Sequence, residues 1–247
     1  MKPKVAFFDF TSCEGCQLTV VDSLETHLDL LNVVEIVQFR EAISERGEDY
    51  AVAFVEGAIT REQDEPRLIA IRAQAQVLVA LGACAHIGGV NAIKNLSPLE
   101  DARRYVYGDR AEWYPTYAAR PLSAVVPVDA FIPGCPIDRN EFIAVVQALL
   151  RGKRPPVPDY PMCMECKVKE NVCLFDKGGV CLGPITRAGC NAICPTFGVG
   201  CEGCRGLISN PNPESMQNVL VEHGLTPHDL GARMTMFGAY TLSKTVG

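Results

Sequence analysis

Cysteine is the residue type in this 247-residue chain with the most chemistry available to it, and there are twelve. They are Cys13, Cys16, Cys84, Cys135, Cys163, Cys166, Cys173, Cys181, Cys190, Cys194, Cys201 and Cys204. A thiolate binds soft metals, and four thiolates are the ligand set of one cubane iron–sulfur cluster. Twelve cysteines make three such sets. Four are spread over the first 135 residues and eight crowd into positions 163–204. That distribution suggests one cluster on a folded unit, followed by a segment that holds two more. Three C-x-x-C units occur: Cys13-Glu14-Gly15-Cys16, Cys163-Met164-Glu165-Cys166 and Cys201-Glu202-Gly203-Cys204. Each places two thiols on one tight turn. A single unit is common to thioredoxins, zinc ribbons and ferredoxins, but three with six further cysteines is a specific signal.

The elements that must position these thiols follow from hydrophobic periodicity. Continuous Val/Ile/Ala/Phe runs at 5–10, 33–39, 51–55, 77–81 and 125–132 predict five strands. Helical spacing at 18–31, 61–74 and 141–150 predicts the helices between and after them. Buried strands alternating with helices predict an α/β fold, a flavodoxin-like doubly wound parallel sheet. Cys13 and Cys16 then follow the first strand, Cys84 the fourth and Cys135 the fifth. All four lie at the carboxyl edge, where open α/β sheets bind ligands. A proline-rich connector at 151–161 divides the chain into two expected domains, 1–152 and 153–247. The second is poor in apolar runs, is expected to be an irregular and helical cluster-binding domain, and needs bound metal for its folding energy. Short helices are expected there at 213–223 and 227–237, and a polar insertion at 99–120 is expected to be surface or subunit contact.

Composition narrows the class. A hydrophobic fraction of 48% with 21% charged residues is that of a globular protein. A net charge of −6, without a basic patch, argues against nucleic-acid binding. No apolar run reaches the roughly 18 residues of a membrane span, and the first ten residues do not read as a signal peptide. The expectation is a cytoplasmic protein without membrane insertion, in which cysteines bind metal rather than form disulfides.

Three rival sites fit less well. Zinc sites pair C-x-x-C units at ribbon spacing or with histidine pairs, whereas here four cysteines fill the gap between Cys166 and Cys201. A two-cluster ferredoxin would show C-x₂-C-x₂-C-x₃-C-P, of which only Cys190-x₃-Cys194-Pro195 occurs. A flavin phosphate would use the loop after the first strand, where Thr11 and Ser12 could serve but two cysteines crowd it.

Ser12-Cys13-Glu14-Gly15-Cys16, Val55-Glu56-Gly57, Gly82-Ala83-Cys84-Ala85 and Pro133-Gly134-Cys135-Pro136 together carry a specific resemblance. The chain resembles the small, electron-transferring subunit of cytoplasmic multimeric [NiFe] hydrogenases, over nearly its whole length. The resemblance implies that Cys13, Cys16, Cys84 and Cys135 hold a proximal [4Fe–4S] cluster facing a nickel–iron site in a separate large subunit. It likewise assigns Cys190, Cys194, Cys201 and Cys204 to a medial cluster, and Cys163, Cys166, Cys173 and Cys181 to a distal one. Periplasmic members use a histidine where Cys163 stands and a proline where Cys194 stands, so three all-cysteine [4Fe–4S] clusters are expected. Glu14 and Glu56 would lie near the proximal cluster, as proton-path carboxylates or as capping and solvated ones. His86 would either donate to a cluster sulfur or be an ordinary loop histidine. No nickel ligands are identifiable, so the hydrogen chemistry belongs to the large-subunit partner. An iron–sulfur or flavin subunit is expected to accept the electrons. The competing expectations are a complex I-like quinone reductase or membrane-bound hydrogenase subunit, and a zinc-stabilised scaffold.

Overall fold

A computed structural model describes residues 2–245 of the chain. Five strands form one fully parallel sheet: β1 (Lys4–Asp9), β2 (Glu35–Phe39), β3 (Val52–Glu56), β4 (Val77–Leu81) and β5 (Ala130–Ile132), in the order β2-β1-β3-β4-β5. β3 is buried along its whole length and lies at the centre, whereas the edge strand β2 is only partly covered. Continuous apolar sequence is what a parallel strand needs when both its faces are covered. Successive side chains alternate between two cores. Val5, Phe7, Phe54 and Val79 face α1 (Gly15–Thr26) and α5 (Arg139–Leu150). Ala6, Phe8, Ala53 and Val55 face the opposite core, with Leu68 and Ile71 of α2 (Asp64–Gln74). Phe7 stacks on Phe39 and Phe54 at ring-centroid distances of 4.4 and 5.1 Å.

This is the expected α/β architecture, with local corrections. The fifth strand starts at Ala130 rather than at 125, because Pro127 has no N–H for the ladder and residues 122–124 turn into a 3-10 segment. The helix expected over 18–31 ends at Thr26, where His27 leaves helical geometry, and a 3-10 turn follows over Leu28–Asn32. Immediately after β4 the chain enters α3 (Gly82–Ile87), then the 3-10 segment Gly89–Leu96, and the insertion forms α4 (Leu99–Tyr107) with a further 3-10 turn.

Beyond the connector come two short helices, α6 (Cys163–Val168) and α7 (Ile193–Thr196), then α8 (Pro213–Glu222) and α9 (Pro227–Thr245). α8 begins on Asn212, whose side chain accepts the Ser215 N–H at 2.8 Å. Met162, Leu174, Phe175, Leu182, Ile185, Met216 and Leu220 form a third core that also includes Cys181 and Cys201. α9 extends well past the expected residue 237 and returns to the sheet, where Ala239 packs with Ala58, Cys84, Ala92 and Ala119. No helix among the described residues is long and apolar enough to cross a membrane.

Candidate functional site

The turn after β1 places Cys13 and Cys16 at the carboxyl edge of the sheet, with Cys16 in the first turn of α1. Cys84 sits in α3 directly after β4, and Cys135 lies just beyond β5. Each of these four thiols interacts electrostatically with at least two of the others. Cys16 and Cys84 are buried, whereas Cys13 and Cys135 reach the surface. Burial, then Cys135 and Glu56, pushes the Cys84 thiol up to about 12. Burial, then Glu56, also raises Cys16. The Ile137 backbone opposes this rise at Cys16, and the Asn91 side chain opposes it at Cys84. Gly82 is pinned by this crowding: it has φ +82°, and a methyl group on it would overlap Cys16 Sγ.

Glu56 ends β3 and is 2% exposed. Its carboxylate accepts the backbone N–H groups of Cys16 at 3.3 Å and Gln17 at 2.9 Å. These are two of the orphan donors at the start of α1, whose own Glu14 supplies no side-chain cap. Burial raises the Glu56 carboxyl, against the lowering effect of these bonds. Glu14 instead turns outward in left-handed geometry, with Arg40 Nη2 at 2.7 Å from its Oε1.

The eight later cysteines fall into two further neighbourhoods. Cys163 interacts with Cys181, Cys166 and Cys173, and Cys181 in turn with Cys166 and Cys173. Burial, and then those neighbouring thiols, pushes Cys163 up to about 12. Cys190, Cys194, Cys201 and Cys204 line one cavity of about 270 Å³, and Cys135 from the sheet edge also borders it. Burial, then Cys190, pushes Cys204 up to about 12. The neighbourhoods meet at two places. Cys135 interacts electrostatically with Cys204 and borders the same cavity. The Cys201 N–H donates to Cys181 Sγ at 3.2 Å. The second C-E-G-C unit therefore touches one neighbourhood at each end.

Glu165 and Arg205 carried no sequence signal, whereas His86 was expected as a donor to a cluster sulfur or an ordinary loop histidine. Glu165, inside the C-x-x-C of α6, accepts the N–H groups of Gly189 at 2.7 Å and Ala192 at 3.1 Å, one on each side of Cys190. Arg205, directly after Cys204, is buried against Glu141. His86 stacks on Phe131, ring centroids 3.9 Å apart. Burial, then Arg187 and Arg205, holds it down to about 4, so it is neutral at pH 7.

Among the described residues, no three His, Cys, Asp or Glu side chains converge closely enough to hold one metal ion. A lone zinc draws its thiolates to about 2.3 Å. The cavity of about 270 Å³ bordered by Cys190, Cys194, Cys201, Cys204 and Cys135 instead offers the donor set of a sulfur-loving group.

Residues 13–149 match the family described as NADH ubiquinone oxidoreductase, 20 Kd subunit. Sulfhydrogenase 2 subunit delta of Pyrococcus furiosus is 39% identical over 89% of this chain and 92% of its own length. One subunit of the F420-non-reducing hydrogenase vhu of Methanococcus voltae is 31% identical over 98% of this chain and 96% of its own. A chain in the crystal structure of an NAD+-reducing [NiFe]-hydrogenase in the H2-reduced state superposes with a TM-score of 0.57 and 25% identity, covering 64% of this chain and 96% of that one.

Proposed function

From a chain that belongs to the NADH ubiquinone oxidoreductase 20 Kd subunit family, and whose relatives there are hydrogenase subunits, we propose an electron relay for a [NiFe] hydrogenase. Cys13, Cys16, Cys84 and Cys135 would hold a proximal [4Fe–4S] cluster. Cys190, Cys194, Cys201 and Cys204 would hold a medial one, and Cys163, Cys166, Cys173 and Cys181 a distal one. Bound there, the clusters would supply one-electron steps between the nickel–iron site of a large subunit and an iron–sulfur or flavin partner subunit.

The observation that carries this proposal is the grouping of all twelve thiols into three neighbourhoods, joined in series by Cys135 to Cys204 and Cys201 to Cys181. The Cys201 backbone N–H points at the Cys181 sulfur, which stabilises negative charge on it. Such bonds are also among the factors that set a cluster's potential. Glu56 and Glu165 hold the turns on which Cys16 and Cys190 sit. The eight-cysteine tail lies outside the segment shared with the quinone-reductase family, which favours a hydrogenase relay over a quinone-reducing role. Exposed Met164, Val168, Val172 and Phe197 flank the surface cysteines Cys173 and Cys194 in sequence and suit a partner subunit at that end. The proposed setting is the cytoplasm.

Iron and acid-labile sulfide analysis of the anaerobically purified complex tests the proposal. About twelve irons and about twelve sulfides on this chain are expected for three cubanes. Zinc without sulfide would overturn it, and co-purification with a large subunit carrying the nickel is the companion result.

A further inference from the structure

Arg205 is the bulkiest fully buried side chain among the described residues, and it directly follows Cys204. Its guanidinium bonds to three separate stretches of chain. Nε donates to the Ala188 carbonyl at 2.6 Å, two residues before Cys190. Nη1 donates to the Pro133 carbonyl at 3.0 Å, two residues before Cys135. Nη1 and Nη2 reach the two carboxylate oxygens of Glu141, on α5, at 2.9 and 2.6 Å. Gly189, at φ +110°, packs against the fork, and a methyl group there would sit 2.8 Å from the guanidinium carbon. Arg205 also borders the cavity walled by Cys190, Cys194, Cys201 and Cys204.

Resting on the relay proposed above, we propose that Arg205, held by Glu141, is a positioning residue with two effects. It fixes the Cys135 loop against Cys204, and it sets the reduction potential of the cluster bound in that cavity. The first effect is geometric. A planar fork with several fixed donors can hold three backbone segments in register, which the single flexible point charge of lysine cannot. The second is electrostatic. A cation buried at 1% exposure beside the cavity stabilises an added electron far more than a solvated one does. Glu141 partly cancels that cation, so the two charges bias the potential in opposite directions. A buried ion pair is seldom a source of net stability, whereas breaking one by removing a single partner is costly, so its presence here fits a role in tuning.

The test uses the full chain in its hydrogenase complex, purified anaerobically, with potentiometric titration followed by electron paramagnetic resonance. Arg205→Met is expected to make the medial cluster harder to reduce, and Glu141→Gln to make it easier. Arg205→Lys keeps the charge and loses the fork. It should return the potential most of the way to wild type while leaving the magnetic coupling between proximal and medial clusters weakened. Opposite shifts from the two partners are a signature that a merely structural pair would not give. Should Arg205→Met purify without iron, the near-isosteric Glu141→Gln decides the matter alone. An unmoved potential in Glu141→Gln, or shifts of the same sign in both charge-removing variants, overturns the inference while wild type keeps its iron. Wild type without iron and sulfide overturns the relay proposal and this inference together.

Discussion

Glu56 works across the fold as an N-cap works within a helix: a carboxylate at the end of β3 satisfies the first N–H groups of α1, the helix that carries Cys16. An anionic acceptor at a helix N-terminus gains from both the hydrogen bonds and the helix dipole. Removing it from a buried site leaves two donors unpaired. Glu56→Ala is therefore expected to destabilise the chain by about 1–3 kcal/mol, and Glu56→Gln, which keeps one acceptor oxygen, by less. Denaturant midpoints of the two variants check this, and equal loss in both would show that packing rather than the acceptor matters. The thiols were legible from sequence because few residue types ligate soft metal and their spacing is short-range. Arg205 was not legible, because its partner Glu141 lies 64 positions away and nothing local marks a buried guanidinium. The stacking of His86 on Phe131 was equally illegible, because that partner lies across the fold.

Strands and helices determine whether four thiols distant in sequence can share one ligand. β1, β4 and β5 end at the same edge because the sheet is parallel throughout, and that much followed from continuous apolar runs separated by helices. Ends of elements were less legible: Pro127 shortens β5, and the break at His27 depends on a backbone turn that hydrophobic spacing does not encode. The tight passage from β4 into α3 is the element on which the sheet-edge thiols depend most. Gly82 occupies it in a left-handed conformation, and Cys16 Sγ fills the space a side chain there would need, so an added methyl must displace that sulfur. On the proposed relay, Gly82→Ala should therefore lose the proximal cluster and keep the other two, with iron falling from about twelve to about eight per chain. Iron and sulfide assays measure this directly. A variant with its full iron complement would mean that the Cys16 sulfur is free to move aside.

At the scale of the whole molecule, α9 ties the end of the described chain back to the sheet edge. Its extension beyond residue 237 was hard to read because Gly238 weakens the helical signal. The same small residues let the helix approach closely: Ala239 is fully buried against Ala58, Ala92, Ala119 and Cys84, and a methyl group on Gly88 would meet Tyr240 at 3.3 Å. A segment expected to belong with the cysteine-rich tail thus packs on α3, the helix that carries Cys84, and the two parts of the chain should be coupled in stability. Filling the contact tests this coupling. Ala239→Leu adds bulk to a close-packed seam and should cost about 1–3 kcal/mol. For a chain of this size each kcal/mol corresponds to about 2–4 °C in Tm. Met236→Leu, on an exposed part of the same helix, should leave Tm unchanged within a degree or so, because surface exchanges of similar shape cost little. In calorimetry of the intact chain, Ala239→Leu should lower the transition of the sheet together with that of the tail. If the sheet melts at its original temperature while the tail alone shifts, α9 is a passive covering and the coupling is refuted.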